Sequence, residues 1–217
     1  MRPQFVFELC NETLRRDLNK KVRWRTECRA NKRAVSEELF KVMREAGCYL
    51  VAFGIESANQ KVLNSVQKDL KIQEIVDAIQ LAKRAGLRTK GYFMIGNLSD
   101  DLNSLFETIT FTKRAGLDEV QFTFFTPFPG STDYNTARKR GWILNERYDF
   151  YDENHANIRT ETLSPSDLEA VRELAYTKFT QRSVIRRLAG QLKRLRWKQA
   201  WKLAKFALLF RLFELKK

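Results

Sequence analysis

Four short runs in this 217-residue chain gather side chains that can do chemistry: Glu27-Cys28-Arg29-Ala30-Asn31, Gly54-Ile55-Glu56-Ser57, Gly96-Asn97-Leu98-Ser99-Asp100-Asp101 and Thr126-Pro127-Phe128-Pro129-Gly130-Ser131. Carboxylates such as Glu27 and Glu56 accept hydrogen bonds from hydroxyls or an ammonium, and a guanidinium such as Arg29 can meet a carboxylate with two parallel bonds. The same residues have plainer uses. Glu27 and Arg29 suit a surface ion pair, Glu56 a helix N-terminal charge, and Pro127, Pro129 and Gly130 a rigid turn. The three cysteines, Cys10, Cys28 and Cys48, lie 18 and 20 residues apart. That spacing offers no CxxC or CxxxC pair for a metal, and an odd number is not a disulfide framework. They are expected to be buried, reduced thiols of a cytoplasmic protein. His155, the only histidine, sits in the polar stretch YDENHANIRTETLSP and is expected to be solvated rather than catalytic.

The four runs fall where strands should end. Residues 22–29 alternate like a strand. Residues 36–46 read as a helix capped by Ser36, and 49–55 form a continuous apolar run expected of a strand buried on both faces. Helices follow at 72–85 and 102–115, and strands at 88–96 and 120–125. Each of the three helices ends in Ala-Gly, at Ala46-Gly47, Ala85-Gly86 and Ala115-Gly116, where glycine can take the left-handed conformation that turns the chain back. Strand starts near 22, 49, 88 and 118 give the rhythm of right-handed βαβ units. Parallel strands require such crossovers, and no Gly-rich dinucleotide turn follows a strand, so the fold class is α/β: a partial (β/α) barrel of parallel strands rather than a doubly wound sheet. Such folds place their chemistry at the strand C-termini, and here those ends are polar while the helix-to-strand turns are plain. Ahead of the first strand, Phe5, Leu9 and Leu14 are expected to form the buried face of an amphipathic helix.

The chain carries 40 Lys and Arg against 26 Asp and Glu, a net charge of +14. Location qualifies that figure: residues 181–217 hold 12 of the basic residues and a single acid, Glu214, and the remaining 180 residues are only +3. The body therefore has no polyanion footprint. No run reaches the length of a membrane-crossing helix, and the N-terminus lacks the apolar core and small-residue cleavage site of a signal peptide. From Ser164-Pro165 the chain reads as helix again. Beyond Arg182, Trp197, Trp201, Leu208, Phe210 and Phe213 mix with Lys and Arg as in an interfacial helix. Membrane-surface contact, with a lipid-like substrate as one option, and packing against the barrel or a partner chain both fit this tail. Nucleic-acid binding fits less well.

The runs WRTECRAN, LFKVMREAGCYLVAFGIESANQKVLNSVQKD, GYFMIGNLSDD and VQFTFFTPFPGS resemble, strand by strand over residues 5–140, the radical S-adenosylmethionine (SAM) enzymes, in particular the subgroup that often carries a cobalamin-binding domain. The resemblance implies a partial (β/α)6 barrel spanning residues 1–145, a connecting loop at 146–163 and a basic helical extension at 164–217. It also implies SAM and a 4Fe–4S cluster as cofactors, a small-molecule substrate, and radical chemistry such as cobalamin-dependent methyl transfer. By position in the motifs, Glu56 and Ser57 of GIES would meet the SAM ribose or methionine end. Glu27 and Arg29 would lie near its ammonium or carboxylate, Gly96 would let the backbone approach the adenine, and Pro127 would stiffen a loop over the site. The family's CxxxCxxC is not in this sequence, and Asn97-Leu98-Ser99-Asp100 departs from the usual Leu-Pro-Gly-Glu. The strand at 22–29 matches the family's third. The expectation is therefore a truncated or split protein whose cluster loop and missing strands are supplied elsewhere, leaving the 22–29 edge unpaired. A complete, non-catalytic barrel that binds ligands and is anchored by its tail is the alternative.

Overall fold

The computed structural model describes residues 2–180 and 197–215, with side chains of the last segment described from 201 onward. In chain order the principal elements are α1 (Pro3–Arg15), β1 (Trp24–Cys28), α2 (Glu37–Glu45), β2 (Cys48–Glu56), α3 (Gln60–Ser65), α4 (Ile72–Arg84), β3 (Arg88–Ile95), α5 (Leu102–Arg114), β4 (Glu119–Phe124), α6 (Thr132–Lys139), α7 (Pro165–Phe179) and α8 (Trp197–Leu215). The strands form one sheet in the order β1-β2-β3-β4, with parallel pairing of β1 to β2 and of β2 to β3. This is the expected α/β barrel-type architecture. The chain separates into two compact units, residues 1–93 with 112–121 and residues 94–111 with 122–217.

In the first unit, local signals place the elements. Ser36 accepts a hydrogen bond from the Leu39 amide at the start of α2, and Gly47, Gly86 and Gly116 all adopt positive φ after their helices. Gly47 has no substitute: at φ 94° a Cβ would stand 2.7 Å from the Val22 carbonyl oxygen. Leu39, Phe40 and Met43 of α2 and Ile75, Ile79 and Ala82 of α4 are buried with Val51, Phe53 and Ile55 of β2. Phe40 meets Phe53 edge to face at 6.3 Å. Full burial of each such aromatic contributes roughly 1.5–3 kcal/mol. In α1 the buried residues are Val6 and Cys10, whereas Phe5 is 61% and Leu9 47% exposed. That corrects the expected face. The stripe at Val6 and Cys10, one residue further round the helix, is the one sunk when α1 packs on α2.

In the second unit, Ser164 and Asp167 form a capping box at the start of α7, with Pro165 at its first position. Leu168, Val171, Leu174 and Ala175 of α7 are buried, as sequence periodicity predicts. The described part of the basic tail, α8, packs along α7. Lys202 of α8 reaches Asp167 at 2.6 Å and the Ser166 hydroxyl at 2.7 Å, and Phe210 packs on Phe106 of α5 at 5.0 Å. Packing within the protein thus accounts for one face of this helix. The tail residues 181–196 and 216–217 lie outside the described residues. Among those described, no helix is long and apolar enough to cross a membrane.

Candidate functional site

The C-terminal half of β2 is irregular. The pairing shifts between Gly54 and Glu56, so that Gly54 faces Tyr92 but Glu56 faces Phe93, leaving Ile55 as the extra residue of a bulge. Glu56 then takes φ 67°, a left-handed conformation that costs a non-glycine residue about 1–2 kcal/mol. Its carboxylate meets Lys68 Nζ at 2.5 Å, with both side chains roughly four-fifths buried (17% and 20% exposed). Lys68 is itself bracketed by two left-handed residues, Gln67 at φ 52° and Asp69 at φ 46°. Three of the protein's positive-φ non-glycine residues therefore converge on one ion pair. Residues in this conformation cost stability and persist only where the surrounding structure holds them.

Gly54 makes room for the pair. A Cβ there would stand 3.2 Å from Glu56 Oε1 and 3.4 Å from Lys68 Nζ. Gly54 is the register partner of Tyr92 in a parallel ladder, so the pair lies over the sheet face that carries the Tyr92 side chain. The same face holds a second polar chain. The Tyr92 hydroxyl donates to Glu27 Oε1 at 2.9 Å, and Lys90 Nζ stands 4.7 Å above the Tyr92 ring while donating to Gln121 at 2.8 Å. Burial, then the bond to Glu27, raises the Tyr92 pKa, so the phenol keeps the proton it donates. The opposite face of the sheet is apolar (Val51, Phe53, Phe93). One wall of this parallel sheet is thus core and the other a polar surface bearing both carboxylates and two ammonium groups.

Of the residues singled out from sequence in this unit, Glu27 and Glu56 share that surface. Arg29 is exposed just past β1 and has no ion pair among the described residues. Ser57 is buried. Its amide donates to the Ile55 carbonyl, and its hydroxyl accepts from the Asn59 amide, fixing the turn into α3. Sequence reasoning missed Lys68, Tyr92 and Lys90. The only trace of Lys68 was the position of VQKD after GIES.

The second unit holds the other two. Gly96, at φ 90°, ends β3; a Cβ would stand 2.8 Å from Leu168 Cδ1, so close packing against α7 already requires a glycine. Its amide donates to Asp100, whose buried carboxylate also accepts from the Asn97 amide, Asn97 Nδ2 and the Ser104 hydroxyl. Burial outweighs those four donors and pushes the Asp100 pKa up to about 6. Pro127 is buried in the loop after β4, which Ser131 closes by donating its amide to the Phe128 carbonyl and capping α6. His155 is exposed and held in a turn by Asp152.

The cysteines do not fit an iron–sulfur cluster. Cluster iron is held by thiolates, but Cys10, Cys28 and Cys48 are buried, and burial pushes Cys28 up to about 12 and Cys48 up to about 11. Among the described residues no three His, Cys, Asp or Glu side chains group for a metal. The polar face does fit SAM, whose ammonium and ribose hydroxyls need acceptors and whose carboxylate needs a cation.

A family model described as the radical SAM superfamily matches residues 1–112. An uncharacterized methyltransferase of Pyrococcus horikoshii is 30% identical over 158 residues, covering 73% of this chain and 34% of its own length. The anaerobic magnesium-protoporphyrin IX monomethyl ester cyclase of Rubrivivax gelatinosus is 28% identical over 168 residues, covering 77% and 28%. Among solved structures, the cobalamin-dependent S-adenosylmethionine radical enzyme OxsB superposes with TM-score 0.62 at 15% identity, over 96% of this chain and 36% of that one. The chain spans about a third of the length of the curated relatives it matches.

Proposed function

Because the chain belongs to the radical SAM superfamily, a family of enzymes, we propose that its β1–β3 polar face is the SAM-holding wall of an enzyme that cleaves SAM reductively, with methyl transfer as the reaction type and a cluster held by residues other than Cys10, Cys28 and Cys48. The observation that carries this reading is the strained Glu56–Lys68 pair standing over Gly54 beside Glu27 and Tyr92. When bound, SAM would supply a sulfonium carbon–sulfur bond that one electron from the reduced cluster can break, and a transferable methyl group. The chain's own residues bind and orient. Lys68 already occupies Oε1 of Glu56, leaving Oε2 to accept from an ammonium or a ribose hydroxyl, while the Lys68 ammonium can attract the α-carboxylate as a compact charge. Glu27, fixed by Tyr92, offers its second oxygen in the same way.

Cobalamin dependence and a small-molecule substrate belong to this proposal through the character of the relatives: a methyltransferase, a cyclase acting on a porphyrin ester, and a cobalamin-dependent enzyme of the same fold. The misfit of the cysteines favours a second reading, a barrel that binds SAM or a similar ligand without cleaving it. Calorimetric titration of the chain with SAM, repeated on Glu56→Gln, tests the first step common to both. Binding weakened by the substitution is expected, and a folded chain that takes up no SAM would remove the site assignment. Anaerobic iron and sulfide counts with a 5′-deoxyadenosine assay then separate the two readings.

A further inference from the structure

Helix α8 is apolar on two opposite sides, and only one is covered. Leu203, Phe206 and Phe210, spaced three and four apart, are buried in the second unit. Trp201, Leu208, Leu212 and Leu215, spaced seven, four and three apart, form a second stripe and are 66%, 61%, 48% and 76% exposed. A helix that is hydrophobic all round is normally enclosed. This one leaves a row of large apolar side chains to a partner, and such rows mark association surfaces.

Charge identifies the partner. The one acid of the helix, Glu214, is tied to Lys178 at 3.1 Å, and Lys202 is tied to Asp167. Among the described side chains Lys205 and Arg211 remain, both exposed and without ion pairs, and Lys205 stands 5.7 Å from the Trp201 ring centre. The outward side is therefore apolar and cationic with no free acid, within a segment whose sequence carries +11 over residues 181–217. A second copy would bring the same positive surface against this one and be repelled. A helix of 19 residues that carries Lys202, Lys205, Arg211 and Glu214 cannot cross a bilayer, but it can lie on one.

We propose that the outward stripe of α8 docks the protein on an anionic lipid surface, with Trp201, Leu208, Leu212 and Leu215 entering the acyl boundary and Lys205 and Arg211 meeting the headgroups. The test is co-sedimentation of the full chain with phosphatidylcholine vesicles, with and without phosphatidylglycerol, at low and high salt. Binding to anionic vesicles only, reversed by salt, is expected. Leu208→Ser with Leu212→Ser should weaken it about tenfold per leucine, and Lys205→Glu with Arg211→Glu by at least about fivefold per charge. All four substitutions are at exposed positions, so circular dichroism should match the parent; if the leucine variant nevertheless misfolds, the charge variant decides. No sedimentation with anionic vesicles, equal binding to neutral ones, or a dimer that both variants dissociate would each overturn the proposal.

Discussion

Replacing Gly54 by alanine separates the chemistry of the proposed SAM site from the stability of the sheet. The added Cβ would lie 3.2 Å from Glu56 Oε1, closer than such contacts normally run, so the carboxylate must retreat by a few tenths of an ångström. It cannot retreat toward Lys68, already at 2.5 Å, and Lys68 has little slack between the left-handed Gln67 and Asp69. The pair therefore shifts as a unit, and Glu56 Oε2 leaves the position proposed to meet SAM. A hydrogen bond to a charged group is worth about 1.5–3 kcal/mol. Losing about a third to a half of one raises the SAM dissociation constant about fivefold. Stability should hardly change. Gly→Ala at an unstrained strand position gains about 0.4–1 kcal/mol through the unfolded chain, which offsets a crowding cost of about 1 kcal/mol. At this size the melting temperature then stays within about 4 °C. Calorimetric SAM titration with parallel thermal melts reads both quantities. If Gly54→Ala binds SAM within twofold of the parent, and Glu56→Gln does too, the pair is a structural ion pair that does not hold SAM.

Gly96→Ala should behave in the opposite way. Positive φ and the 2.8 Å approach to Leu168 together predict about 2–4 kcal/mol of destabilisation in urea melts, and adding Leu168→Ala should not restore the parent stability, because the backbone strain remains. Asp100 sets a pH dependence of unusual sign. Its pKa in the fold, about 6, exceeds the unfolded value of 3.8, so the fold binds the extra proton and this group's contribution to stability rises as pH falls through 6. Between pH 7.5 and pH 5 the parent should gain about 1.4 kcal/mol that Asp100→Asn does not, measured as the difference between their urea-melt slopes against pH. The buried thiols of Cys10, Cys28 and Cys48 should resist a disulfide reagent in the native chain and all three react in denaturant. Rapid native labelling of Cys28 or Cys48 would contradict the packing of the first unit.

The chain's rhythm of strand, helix and Ala-Gly turn was open to reading from the residues, because each signal acts within a few positions. Ser36 and Ser164 cap the helices they precede, and Gly47, Gly86 and Gly116 take left-handed turns whatever lies far away in sequence. The polar strand ends were visible for the same reason: the period of parallel βαβ units says where a strand must stop. Which stripe of α1 is buried was not visible, since Phe5 with Leu9 and Val6 with Cys10 are equally regular, and only docking on α2 chose between them. The short helices α3 and α6 carry too few turns to show a period. The polar face of the sheet was only half legible. Glu27 and Glu56 could be named from their places at strand ends, but Lys68 reaches Glu56 from 12 residues away and Tyr92 reaches Glu27 from 65. Such partners are set by the register of neighbouring strands and by a loop bent through left-handed residues. Only the assembled sheet fixes which side chains share its polar face, because no local pattern records a distance between chain segments brought together by folding.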